Sequence, residues 1–180
     1  MRFFYFSIFL VLISCSSRTN SRQTIEDEFE DLFIKLPQIA FPLSMQTSID
    51  TIIQQDLPDV TDTLLVKRFG GRTGFERPLG RVYKDSNVFV VLSFIPDDVG
   101  TPIISTYNKA GLKIDSLFIF DGKPAAIIGS RTREFATIQK DYQIQFLDST
   151  DYLDTLDNVI SKEVISKIYY IDDKGKIKQK

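Results

Sequence analysis

The sequence predicts an α+β fold: an antiparallel meander of about six to eight strands preceded by one or two N-terminal helices. Three observations carry this. Apolar residues follow helical spacing before Gly70 and form strand-like runs after Asn87. The turns between those runs are too short for parallel crossovers, which need roughly a dozen residues or more. The 180 residues are 43% apolar and include 15 Phe and 7 Tyr, enough to build a core without disulfides or metals.

Thr24 can cap a first helix whose apolar residues Ile25, Phe29, Leu32 and Phe33 fall on one face. Asp27 takes the acidic position of a capping box, and Glu26, Glu28, Glu30 and Asp31 form the wet face. Leu36-Pro37 ends it, because a residue before Pro avoids the helical region. A second helix is expected from Thr61 to Phe69 with Leu64, Leu65 and Phe69 inward, closed by Gly70 and Gly71.

Val88 to Ile95 is nearly all apolar, which suits a central strand covered on both faces and stopped by Pro96. Further strands are expected at Ile103–Tyr107, Leu112–Phe120, Ala125–Ser130 and Phe135–Gln139. In the next one Tyr142, Ile144 and Phe146 alternate with Gln143 and Gln145. Asp148 to Asn158 reads as a polar stretch before a strand at Val164–Ile171. Hairpin loops are expected at Asn108–Gly111, Asp121–Pro124 and Asp172–Gly175. Tyr107–Ile114 and Tyr170–Ile177 are similar, but two copies are explained by two good hairpins and make no repeat array.

Composition narrows the chemistry. With 22 basic and 24 acidic residues the net charge is −2, which gives no reason to expect nucleic acid. There is no His, the commonest general base and metal ligand, and a single Cys cannot form an internal disulfide or a Cys-rich zinc site. No cofactor motif, no Ser-x-x-Lys and no Gly-x-Ser-x-Gly occurs, so no catalytic residue is assigned.

The N-terminus carries the sharpest pattern. Arg2 precedes an apolar run from Phe3 to Ile13, then Ser14 and the sole cysteine, Cys15. A run of this length spans about half of a ~30 Å hydrocarbon core and matches a signal peptide instead. Leu12-Ile13-Ser14-Cys15 resembles the lipobox of bacterial lipoproteins. That resemblance implies cleavage before Cys15, a diacylglycerol on its sulfur and often an acyl group such as palmitate on its amine. It divides the chain into a signal peptide (1–14), a lipidated Cys with polar tether (15–23) and one α+β domain (24–180). The mature chain would carry 21 basic and 24 acidic residues, so attachment falls to the acyl chains and not to anionic lipid. The implied location is the cell envelope, periplasmic or surface-exposed, with Ser16 after the Cys favouring the outer membrane.

Arg68, Arg72, Arg77 and Arg81 surround Gly70-Gly71-Arg72-Thr73-Gly74 and form the best candidate for an anionic ligand or a protein partner, with local pairing to Glu76 or Asp85 as the alternative. Asp148, Asp151, Asp154 and Asp157 recur every third residue. They lack EF-hand spacing and read as a solvated loop or wet helix face. Asp97-Asp98-Val99-Gly100 reads as a turn. Phe118, Phe120, Phe135, Tyr142 and Phe146 read as core, and the tail lysines as a guard against edge pairing. Glu76, Glu134 and Glu163 are scattered, and nothing in the sequence picks out a catalytic pair. The expectation is a lipid-anchored envelope protein that acts as a binding or interaction module. The alternatives are a carboxylate-dependent hydrolase of envelope polysaccharide and a structural spacer. Replacing Cys15 with Ser is expected to move the chain from the membrane fraction to the soluble fraction on cell fractionation; retention would refute the lipid anchor.

Overall fold

The apolar run from Val88 to Leu92 is buried at every position, and the layers on its two sides define the architecture. The computed structural model of the chain describes residues 25–47, 60–70, 75–85, 87–96, 101–122 and 126–180. They form two helices, α1 (25–35) and α2 (Thr63–Phe69), with strands in two sheets. One sheet is an antiparallel meander of β2 (Arg77–Lys84), β3 (Phe89–Ile95), β4 (Thr101–Tyr107) and β5 (Lys113–Phe118), in that order. The other takes its strands from both ends of the chain. β1 (Leu43–Gln46), β7 (Ser130–Ile138), β8 (Ile144–Leu153), β9 (Val159–Ile171) and β10 (Ile177–Gln179) lie side by side, and β6 (Ala126–Ile127) also pairs with β7.

Strand alternation sends Val90 and Leu92 into the space between the sheets, where they meet Leu43, Met45, Ala136, Ile138, Ile144 and Phe146. Phe89 and Val91 point the other way, onto the helices, and pack with Phe29, Phe33, Leu65, Phe69 and Tyr107. Phe89 meets the Phe29 and Phe33 rings edge-on at 5.2 and 5.0 Å. The helices are therefore one outer layer, held by aromatic rings on a sheet whose other face is the sandwich core.

Four chain reversals use one device. In each, the first residue of a short loop takes its N–H to the carbonyl four residues on, and the fourth residue lies at positive φ. These are Asn108–Leu112, Gln139–Gln143, Asp154–Asn158 and Asp172–Lys176, with Gly111, Tyr142, Asp157 and Gly175 at φ 72°, 63°, 61° and 79°. Three-residue hairpin loops close in this way, with a left-handed residue completing the turn. Asn108, Asp154 and Asp172 also accept backbone N–H groups on their side chains. Tyr142 holds its unfavourable backbone because its ring stacks on Tyr83 at 4.4 Å and meets Phe41 at 5.6 Å. The β9–β10 loop seats on the four-stranded sheet: Thr106 Oγ1 donates to the Gly175 carbonyl at 2.7 Å and the Ile177 N–H to Asp115 at 3.2 Å.

The α+β class and the antiparallel meander are as the sequence indicates. The strands divide into two sheets: β1 and β2 lie in a segment without clear alternation, and after β5 the chain passes from the four-stranded sheet to the six-stranded one. Helix α2 begins at Thr63, with Asp62 as its N-cap, and Leu64 is 63% exposed where an inward position is expected. Ile25 is also half-exposed. The polar stretch after Phe146 is a continuation of β8 to Leu153, so Asp148 and Asp151 are buried on a strand instead of solvated. Phe118 is 54% exposed, and Tyr142 belongs to a turn. The turn expected at Asp97–Gly100 lies outside the described residues.

Phe89→Ala is expected to cost about 3–5 kcal/mol in urea unfolding, because the Phe29 and Phe33 rings both lose their edge-on neighbour. Asp157→Gly should instead raise stability by about 0.5–1 kcal/mol, since Gly adopts the left-handed conformation without a side-chain penalty. A loss at Asp157→Gly would show that this carboxylate contributes more than its backbone costs.

Candidate functional site: a sheet that outruns its cover

Of the four arginines, Arg68, Arg77 and Arg81 are described, and they are distributed over both sides of the first sheet. Arg68 lies on α2 with its guanidinium 5.0 Å above the Phe29 ring, and it donates to the Ala110 carbonyl at 3.2 Å. Arg81 stands opposite Val91, on the helical side, while its backbone bonds to Pro37 and Ile39. Arg77 stands opposite Phe94, whose ring packs toward the sandwich core. Arg72, like Cys15, lies outside the described residues. Glu76 pairs with Lys113 at 3.2 Å, and Asp85 caps the backbone N–H groups of Asn87 and Val88.

The structure does assemble one pair of carboxylates. Glu134 on β7 stands directly opposite Asp148 on β8, both facing inward, with exposures of 1% and 2%. Glu134 Oε1 accepts the Asp121 N–H at 2.7 Å, which ties β7 to the segment leaving β5. The Glu134 main chain exchanges bonds with Thr47. Lys167 reaches across the Phe146 ring to Asp121 at 2.8 Å. Burial pushes the Glu134 carboxyl above its ordinary range, and the nearby Asp121 and Asp148 charges push the same way. Acids shut off from solvent in this way are closed to a bulky sugar substrate, and Glu134 instead ties β7 to the segment leaving β5. The alternation Thr132, Glu134, Ala136, Ile138 is the signal that marks this face, and the bulkier Phe135 obscures it.

The distinctive surface lies beyond this pair. β7, β8 and β9 have 9, 10 and 13 residues, whereas β3 and β4 have 7 each. Past the Glu134–Asp148 rung the inner face turns polar: Thr132 with Thr150 at 3.0 Å, and Tyr152 bonded to Glu163 at 2.9 Å. From Val159 to Ser166 every residue of β9 is exposed. The end of this overhang is apolar. Ile127 and Ile128, at the end of β6 and the turn after it, line one trough with Leu153, and Leu156, Val159 and Ile160 are also exposed at this end of the sheet, Leu156 at 79%. A shallow trough of about 490 Å³ separates the two turns, lined by Ile127, Ile128, Arg131, Leu153, Asp154 and Asp157 among others. Several large apolar side chains exposed at one end of a sheet are a feature of docking surfaces.

β9 also has an open edge. β10 pairs only with Tyr169–Ile171, and the Lys180 N–H reaches the Ile168 carbonyl at 2.8 Å. Antiparallel alternation then turns the N–H and C=O of Lys162, Val164 and Ser166 away from β8, toward solvent, with no strand beside them among the described residues. Among the described residues no three His, Cys, Asp or Glu side chains are grouped to hold a metal ion, and no helix is long and apolar enough to cross a membrane. No protein-family model matches the chain, no curated protein matches it, and no solved structure matches it.

The Glu134 shift has a sign that can be checked. The folded protein holds this proton more tightly than the unfolded chain, so its contribution is fully present below about pH 4.5 and is lost as pH rises through the raised folded value. Glu134→Gln keeps an acceptor for the Asp121 N–H and is expected to remove that loss, giving a variant more stable than the parent at pH 7.5 in urea unfolding. Parallel stability curves for parent and variant from pH 4.5 to 8 would refute the buried-proton account.

Proposed function

We propose that this chain is a lipid-anchored cell-envelope protein that acts as an interaction module, held to a membrane through Cys15 and meeting a protein partner with the overhang of its six-stranded sheet. The observation that carries the reading is the apolar end of that overhang: Ile127, Ile128, Leu156, Val159 and Ile160 are exposed together at the tip of paired strands. A spacer gains nothing from such a surface, and edges of this kind are ordinarily blunted unless they are used. The burial of Glu134 and Asp148 argues against the hydrolase reading, since these are the acids that the fold brings opposite one another. The outer membrane is the favoured location, on the strength of Ser16.

Mild crosslinking of intact cells, then detergent extraction and mass spectrometry, is expected to recover one partner at near-equal stoichiometry. Ile128→Ser with Leu156→Ser should abolish that recovery while changing unfolding free energy by no more than about 0.5 kcal/mol, as befits exposed positions. Recovery of background proteins alone would overturn the reading.

A further inference from the structure

The open edge of β9 specifies its occupant more closely than the apolar tip does. We infer that the partner binds by strand addition: an extended segment of another protein pairs antiparallel with Ile160–Ser166 and becomes the next strand of the six-stranded sheet. This rests on the interaction reading above and names the kind of partner that satisfies it. Added strands draw affinity from main-chain hydrogen bonds and specificity from the alternating side chains they meet. Both are available here. The N–H and C=O of Lys162, Val164 and Ser166 face solvent on the side away from β8. Ile160 and Val164, 68% and 53% exposed, flank Lys162 on the outer face, and Glu163 and Ile165 are adjacent on the inner face.

A second copy of this chain fits the edge poorly. A closed dimer continuing the sheet has its two-fold axis perpendicular to the strands' plane, so each face meets the same face and paired residue numbers sum to an even value. The two registers that pair most of the open edge place Lys162 opposite Lys162 of the second copy, or Glu163 opposite Glu163. Directly opposed like charges are destabilising. Shifting one way drives the second copy's β9 into β10, which occupies the edge from Ile168 onward. Shifting the other way sets Ile160 opposite Lys162 and Val159 opposite Glu163. The complementary occupant is a foreign strand with apolar residues opposite Ile160, Val164 and Ile165, an acid opposite Lys162 and a base opposite Glu163.

Read antiparallel from Ser166 to Ile160, that complement is the peptide Thr-Val-Ile-Lys-Glu-Thr-Val. Titrated into the isotopically labelled chain, it is expected to shift the backbone amide resonances of Lys162, Val164 and Ser166. The charge-swapped peptide Thr-Val-Ile-Glu-Lys-Thr-Val should bind about fivefold more weakly. Val164→Pro removes an N–H that faces the open edge and leaves the β8 ladder intact, so it should keep the fold and lose the peptide. Should that variant fail to fold, Lys162→Glu, a surface exchange, is expected to weaken binding by at least fivefold. Three results would overturn strand addition: shifts confined to Ile127, Ile128 and Leu156, equal binding of the two peptides, or no shift at millimolar peptide. The first leaves the interaction module standing with a different contact, whereas the whole-cell crosslink tests the module independently of any peptide.

Discussion

The two sheets of this protein differ in length, and that mismatch governs the rest of the molecule. At about 3.4 Å per residue a 13-residue strand reaches about 44 Å, and a 7-residue strand about 24 Å. The short sheet can cover only part of the long one. Where cover exists, the inner face carries Met45, Ile138, Ile144 and Phe146. Where it stops, the same strands carry Thr132, Thr150 and Glu163, with the Glu134–Asp148 rung at the boundary. The overhang is therefore stabilised by its own ladder and hairpin loops, without a core beneath it.

Everything on the covered side serves to hold that base rigid. β3 is buried on both faces, by helices on one side and by the sandwich on the other. The bonds from Thr106 to Gly175 and from Ile177 to Asp115 pin the β9–β10 loop to the short sheet, and Glu134 ties β7 to the chain leaving β5. A surface gains affinity when it needs no ordering on contact, because immobilising loops and side chains at an interface opposes association. A ribbon anchored at one end by a packed sandwich meets that condition better than a free loop would.

The sequence reveals the covered part of the fold and conceals the overhang. β3 is legible because full burial on both faces demands an unbroken apolar run, and the Asn108–Gly111 and Asp172–Gly175 turns because they need Asx caps and left-handed glycines. β2 is hidden by its bulges and its five charged or turn-forming residues, and β1 is only four residues long. The length of β8 is masked for a physical reason. Beyond the core its rungs are hydroxyls and acids, so Asp148 to Leu153 reads as a loop although it is strand. The acid pair is invisible until the β7–β8 register is known, since Glu134 and Asp148 are separated by a hairpin and aligned only by pairing. The arginine group was conspicuous in sequence because of its density, yet the bulged strand turns Arg77 and Arg81 to opposite sides.

The proposed strand addition and lipid tether fit one physical picture with the exposed apolar tip: a module held near a membrane that presents a preformed template to an extended partner. The picture depends on the overhang being an ordered ribbon before anything binds. Native-state amide hydrogen exchange on the isolated chain tests this most directly. The account predicts slow exchange at Ser161, Glu163 and Ile165, whose N–H groups face β8, alternating with fast exchange at Lys162, Val164 and Ser166. Uniformly fast exchange through Val159–Ser166 would contradict it, because a ribbon that forms only on contact could not serve as a template.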